Sequence, residues 1–281
     1  MPQFNKSIIA VMLLVVICFT GSGCMTAKNW IYNPITDVNN LEGRKVGVNL
    51  SWESDYLLTG RPDMELYRYN TTADMIMALR YDKLDAIAMD EDSVRLLLSF
   101  SKGLKVVQPA FAEDSSIMYF GNDDGALAQD FNQYMAEYKK TDDYKDMLRR
   151  LAEFDGSEYT GPDIPLTGSG KEIRVACDPN NFPRAFKSPG EETFRGFDLE
   201  ILKYYANDRN YRLKFFDSNY DDGVIGLQSG LYDVMTGYLG DVYSKEVRQI
   251  GLYPSDGMFS CHLYFIEKQQ RDISVDASIL E

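Results

Sequence analysis

The chain of 281 residues has one histidine, His262, and four cysteines. A single imidazole argues against a histidine-built metal site, and no nucleophile–base motif is visible beside it. Cys18 and Cys24 lie at the N-terminal end, which leaves Cys177 and Cys261 for the body of the chain. Their spacing does not suit a metal. In an exported protein they either pair or remain two thiols buried in the apolar runs around them. Basic residues are in deficit, 29 against 43 acidic, for a net charge of −14. Such a chain is repelled by nucleic acid, and no basic cluster offsets the repulsion. The acidity reads most simply as solubility. The apolar run Ile8–Phe19 has 12 residues, short of the roughly 20 that span a bilayer.

What is present is a pattern written twice. Ile76–Asp90 aligns without gaps on Val224–Tyr238; each is the end of an amphipathic helix, a polar turn and a short apolar strand. The echo continues upstream, Lys45–Val48 with Ile173–Ala176 and Leu66–Tyr69 with Leu213–Phe216. Two strand–helix–strand–helix–strand units imply two small parallel α/β sheets facing each other. That arrangement is suited to closing over a small molecule.

The N-terminal residues 1–24 read as a targeting segment: Lys6, then the apolar run, then Thr20-Gly-Ser-Gly-Cys24. Small residues before a cysteine resemble a bacterial lipoprotein cleavage box, which makes Cys24 the lipidated first residue. Gly21 stands where that box usually has leucine, and the competing reading is an ordinary signal peptide with a chance cysteine. Residues 25–42, polar and rich in asparagine, read as a tether. Removing 1–23 removes only Lys6 among the charges, so 28 basic and 43 acidic residues remain, a net of −15.

Along the body, Asn70-Thr71-Thr72 signals a helix start, and Leu84–Met89 a strand. Ser93–Phe100 reads as a short helix, and 126–154 as two helices broken near Thr141. Residues 157–170 hold three glycines and two prolines and form the clearest linker. In the second unit, Phe197–Asn207 and Gly223–Ser229 read as helices. Leu213–Phe216, Tyr232–Thr236 and Met258–Ile266 read as strands. Residues 268–281 are a polar tail.

These motifs resemble the type II periplasmic solute-binding proteins, the branch that binds amino acids and related solutes. The second half carries Arg174-Val-Ala-Cys-Asp178, Phe182-Pro183, Gly196-Phe-Asp198 and Leu227–Asp233. The first half carries Leu41–Val48 and Leu84–Asp90, and Tyr138–Leu151 is similar to the family's closing helices. The resemblance implies a two-lobed α/β fold with a hinge and an interlobe cleft, its lobes in circularly permuted order. One lobe spans 43–118; a hinge strand and helices over 119–156 pack on the other lobe, 171–267. A piece of a longer protein is the runner-up reading.

Ligands of open α/β sheets bind beyond the carboxyl ends of strands. Strand ends nominate Asn49 to Trp52, Asp90, Asp178 and Gly237 to Asp241. The resemblance implies that Asp90 takes a ligand's α-ammonium and that Ser51 lies in the turn gripping its carboxylate. The residue-level alternatives are a helix cap for Asp90 and a surface turn for Ser51. Trp52 beside it either walls the pocket or packs between lobes. Asp178 is a contact or a turn-former; Phe182 and Tyr238 are aromatic faces or core; Asp198 orients its own helix. The amino-acid branch expects an arginine shortly after the strand at 233–236. Here Leu239 holds the expected threonine's place, Lys245 or Glu246 the arginine's, and Arg248 lies two or three residues late. With Asp241 gained, this suits a cationic ligand, one without a free carboxylate, or a lobe that no longer binds.

The resemblance implies no cofactor and no enzyme. It implies a lipid-anchored protein outside the cytoplasm, held to the membrane through Cys24, that passes a small polar solute to an ABC-type transporter permease or a sensor. The competing expectations are a non-binding surface module of the same fold and, behind it, a dehydratase-type enzyme.

Overall fold

A computed structural model describes residues 34–121, 125–240 and 244–269. Residues 1–33, which hold the expected targeting segment with Cys24 and the first part of the expected tether, lie outside the described residues, as do Asp241 and the tail from 270. The first half runs β1 (Arg44–Asn49), α1 (Glu53–Leu58), β2 (Met64–Tyr69), α2 (Thr72–Arg80), β3 (Ala86–Asp90), α3 (Glu91–Phe100) and β4 (Leu104–Val106). Next come β5 (Ala112–Phe120), α4 (Ala126–Tyr138) and α5 (Asp142–Glu153). The second half runs β6 (Glu172–Cys177), β7 (Asn180–Asn181), β8 (Ala185–Phe186), α6 (Phe197–Asp208), β9 (Arg212–Asp217), α7 (Tyr220–Gln228) and β10 (Val234–Leu239). It ends with α8 (Ser244–Gln249), β11 (Tyr253–Pro254) and β12 (Phe259–Lys268).

The written repeat is a structural repeat. β1 lies parallel between β2 and β3, and β6 lies parallel between β9 and β10. The aspartate that opens each third strand does the same work in both. Asp85 accepts from the Lys45 amide at 2.8 Å, and Asp233 from the Arg174 amide at 2.7 Å. In return, the Asp85 and Asp233 amides donate to the Lys45 and Arg174 carbonyls. Each aspartate thereby pins its strand to the first strand of its unit.

The two half-sheets are joined by two antiparallel strands. β5 pairs with β12 over Ala112–Ser116 and then with β10 over Ser116–Phe120. β12 pairs with β5 over Phe259–Leu263 and then with β3 over Leu263–Ile266. The sheet has 10 strands: the path β2-β1-β3-β12-β5-β10-β6-β9, with β11 paired to β5 and β4 to β12 off that path. This is the mixed α/β, two-lobed architecture that the resemblance implies. The sequence reading places Met258–Ile266 with the second lobe, whereas β12 hydrogen-bonds across into the sheet of the first half.

Alternation along the strands serves two faces per half-sheet. Val46, Val48, Ala86 and Ala88 face a cluster with Leu41, Leu58 and Phe265; Ile87 and Met89 face Met75, Leu79 and Leu97. In the second half Val175, Val234 and Phe120 meet α4, α5 and α6, and Ala176, Met235 and Tyr119 meet Leu227 and Val247. Each fully buried Val, Leu, Ile, Met or Phe among them contributes roughly 1.5–3 kcal/mol. Helix starts follow their capping residues. Thr71, Thr141 and Asn219 accept from the amides of Asp74, Tyr144 and Asp222.

Three details differ from the expectations. The described end of the tether is packed, with Ile35, Val38 and Leu41 buried against β1 and β3. Apolar residues at 35, 38 and 41 give that face enough hydrophobic area to dock despite the asparagines. The linker is also held. The Tyr159 hydroxyl donates to Glu200 at 2.7 Å, Ile164 is buried, and Asn207 accepts from the Thr167 amide. Cys177 and Cys261 are both free and buried, so the alternative of two separate thiols holds. Burial pushes both thiols well up.

Candidate functional site: an acidic cluster where the halves meet

Residues just after β3 of the first half meet a residue from the turn between β7 and β8 of the second. Asp90 closes β3 and caps α3, its Oδ1 accepting from the amides of Asp92 and Ser93 at 3.1 Å each. That cap fixes the first turn of α3, which carries Asp92 inward; Asp90 and Asp92 are both buried. Opposite them stands Arg184, on the turn after β7. Its Nη2 lies 2.7 Å from Asp92 Oδ2, with the two side chains 5% and 7% exposed. The guanidinium also sits 5.4 Å from the ring centroid of Phe259 on β12, within cation–π range.

The approach of Arg184 is built into the backbone. The first amides of α6, those of Phe197 and Asp198, donate to the Pro183 and Arg184 carbonyls at 3.1 Å each. These bonds satisfy donors that a helix start leaves open. Gly196 makes the approach possible: at φ +137°, a Cβ there would lie 2.0 Å from the Arg184 carbonyl oxygen. Asp198, fully buried, accepts from Ser116 Oγ at 3.0 Å and so ties α6 to β5.

The electrostatics are acidic around one cation. Burial works against the charge of Arg184, but Asp92, then Cys261, Asp198 and Asp90, outweigh it and raise its pKa. Burial lifts the carboxyl of Asp92, with Arg184 opposing. Glu53, first residue of α1, is pushed up to about 8 by burial and then by Asp90, with Asp114 adding to the rise and Arg184 resisting it. Oxygens of Asp90 and Asp92 and the Cys261 sulfur lie within 4.8 Å of one another. The charge this trio faces is the Arg184 guanidinium, so a metal ion there would meet a resident cation.

A cavity of about 550 Å³ opens beside the pair, lined by Asp92, Arg184, Phe259 and Cys261 and, toward the rim, Glu91 and His262. Its size falls within the range of small-molecule pockets. His262 Nδ1 lies 3.2 Å from Glu91 Oε2. On the far wall Arg95 of α3 donates to the Leu151, Ala152 and Phe154 carbonyls, capping the end of α5. The halves thus meet at Arg184–Asp92 and at Arg95–α5.

Among the residues nominated from the sequence, Asp90 is set in this cluster. Ser51 is exposed at φ +64°, its amide donating to Asp55, and Trp52 is 46% exposed. Asp178 accepts from the amide and side chain of Asn180, a local turn. Phe182 packs among Phe154 and Phe186 in the core of the second half. Tyr238 is placed in β10 by its backbone, opposite Ile117. Arg248 is exposed in the last turn of α8, and Asp241 lies outside the described residues. Glu53, Asp92, Asp114 and Arg184 were not nominated. The available signals were Asp92 two residues past a strand end and Glu53 just after the Ser51 turn.

The Glu53 shift carries a pH signature. Its carboxyl titrates near 4.3 when unfolded and near 8 when folded. Folding therefore takes up a proton, and stability falls as pH rises from roughly 5 to 8. Asp90, Asp114 and Arg184 face this carboxyl, and Tyr220 at the start of α7 is the next group to feel it. Glu53→Gln removes the loss. The melting temperatures of variant and wild type should diverge steadily between pH 5 and 8 with the variant higher at pH 8; parallel curves would refute the assignment.

No family model and no curated protein sequence matches the chain. Among solved structures it is similar to the ligand-binding component of an ABC-type import system from Staphylococcus aureus with zinc bound. The identity is 10%, the TM-score 0.43, and the match covers 81% of this chain and 66% of that one, just under two thirds of it. It is similar to the probable amino-acid ABC transporter extracellular-binding protein YtmK of Bacillus subtilis at 11% identity, TM-score 0.41, over 83% and 87% of the two chains. It is also similar to the periplasmic VFT2 domain of Bordetella pertussis BvgS at 13% identity, TM-score 0.39, over 80% of each. Likeness at this level carries no argument about ligand or activity.

Proposed function

We propose that the chain is a solute-binding protein that closes its two halves on a small polar solute carrying an ammonium or guanidinium group. Cys24 anchors it to a membrane outside the cytoplasm, and it serves an ABC-type transporter or a sensor. One observation carries the reading: Asp90 at the end of β3 and Asp92 beside it are buried opposite Arg184 of the second half, and Asp92 and Arg184 line a cavity. Carboxylates in a dry cleft form strong charge-assisted bonds to such a group. The two crossing strands β5 and β12 are the only sheet pairing between the halves among the described residues, and they are placed to act as the hinge. No helix among the described residues is long and apolar enough to cross a membrane, which is compatible with attachment through Cys24.

The test is thermal melting of residues 25–281 against amino acids, polyamines and small organic acids. A bound solute at a hundredfold excess over its dissociation constant adds roughly 2.7 kcal/mol. A cationic solute should raise the melting temperature, and Asp90→Asn, which keeps a capping oxygen, should abolish the rise. A flat response from a cooperatively folding chain would favour the second reading, a non-binding module of the same fold. The observation behind that alternative is the buried Arg184–Asp92 pair, which already neutralises part of the cluster.

A further inference from the structure

Arg184–Asp92 is the one ion pair among the described residues in which both side chains are 7% exposed or less. It joins the two halves, since Arg184 follows β7 and Asp92 lies in α3. Both ends are held by backbone: α6 grips the Arg184 carbonyl, and the Asp90 cap fixes the Asp92 amide. Yet the contact is not the aligned fork that an arginine makes with a structural carboxylate. Neither Nη1 nor Nη2 donates a well-directed hydrogen bond, although both are buried. By contrast, Arg150 donates from Nη1 and Nη2 to both oxygens of Glu200, at 2.8 and 2.6 Å. The Arg184 guanidinium instead lies against a ring, near several acids, beside a cavity. This is how a cationic ligand is held: close, at 2.7 Å, but without the paired hydrogen bonds of a structural fork.

We propose that Arg184 is an internal occupant of the cation site: the halves close on a guanidinium of their own chain, and an external guanidinium or primary ammonium enters by displacing it. The proposal rests on the solute-binding reading for the identity of the competitor. It deepens that reading by assigning a self-competition that lowers the apparent affinity of the site by the fraction of molecules in which Arg184 has swung out. The device also sets selectivity, because a neutral or anionic solute gains nothing by replacing a cation among carboxylates.

The experiment is chemical rescue. Arg184→Ala leaves a guanidinium-sized space facing Asp92 and should melt below wild type. Millimolar methylguanidinium should close at least half of that gap, N-methylurea should not, and wild type, where Arg184 competes for the site, should gain far less from methylguanidinium than the variant does. In the Asp92→Asn/Arg184→Ala double variant the rescue should vanish. Absence of rescue, or an equal rise in wild type and variant, would overturn the proposal. If Arg184→Ala does not fold unaided, its refolding yield from urea with and without methylguanidinium gives the same reading, and no gain in yield counts against the proposal. Rescue of the variant while wild type answers to no solute would keep the internal occupant and defeat the solute-binding reading. A solute that stabilises wild type and variant alike would do the reverse.

Discussion

Glu200→Ala should lower the stability of the chain by roughly 3–5 kcal/mol, the usual cost of stripping one partner from a buried ion pair. Glu200 lies on α6 with its side chain 2% exposed, and Arg150 on α5 is 10% exposed. Its two oxygens take Arg150 Nη1 and Nη2, and Oε1 also accepts from the Tyr159 hydroxyl at 2.7 Å. Removing the carboxylate leaves a buried guanidinium with Asp146, at 2.9 Å through Nε, as its remaining ion-pair partner, and leaves a partly buried hydroxyl without its acceptor. The remaining Asp146 contact places the expected loss toward the lower end of the range. At roughly 2–4 °C per kcal/mol for a chain of this size, the melting temperature falls on the order of 10 °C. Glu200→Gln retains an acceptor for Tyr159 and should cost less. Because Tyr159 belongs to the 157–170 segment, hydrogen exchange there should accelerate in Glu200→Ala and much less in Glu200→Gln. Equal exchange in both would mean that the segment is held by other contacts.

Gly196→Ala should cost about 3 kcal/mol or more and should also loosen the contact between the halves. Two effects add. The residue sits at φ +137°, a conformation that side chains avoid. The new methyl would fall 2.0 Å from the Arg184 carbonyl oxygen and 2.8 Å from that of Pro183, both backbone atoms that cannot rotate aside. The chain can relieve the clash only by lifting residues 183–184 off the start of α6, which breaks the bonds from the Phe197 and Asp198 amides and withdraws Arg184 from Asp92. Gly103→Ala is the control, since it has φ +76° and nothing within 4 Å of the added methyl. It reports the backbone cost alone, about 1–2 kcal/mol. Urea midpoints of the two variants separate the terms, and equal losses would show that the close approach to Arg184 carries no energy.

Much of the local architecture was legible because its causes are local. Thr71 and Thr141 mark helix starts because a hydroxyl can accept an open amide there, and both do. The two α4–α5 helices break at Thr141 as expected. α1 was missed: at 6 residues, with no side-chain cap at Trp52, it carries too little periodicity to stand out from a turn. The tether reading failed from Ile35 onward for a related reason, because three spaced apolar residues amid asparagines give no helical or strand period.

The site was half legible. Asp90 follows from its position at a strand end, and its two amide bonds realise the capping alternative. Arg184 could not be found that way. It lies 92 residues from Asp92 in sequence, on a turn whose composition marks only a turn. Nor does alternation say which sheet β12 joins, since Cys261, Leu263 and Phe265 are buried in whichever half receives them.

The sequence by itself determined the repeated unit: hydrophobic period, caps and the Asp85 and Asp233 strand-openers act within or between near neighbours, so each copy specifies its own half-sheet. Tertiary structure alone decided which charges meet. The crossing of β5 and β12 brings α1 and α3 of one half against Arg184 of the other. Burial there, and not residue type, lifts Glu53 and sets Arg184 among the acids, because the cost of a charge depends on how much water the assembled halves leave around it.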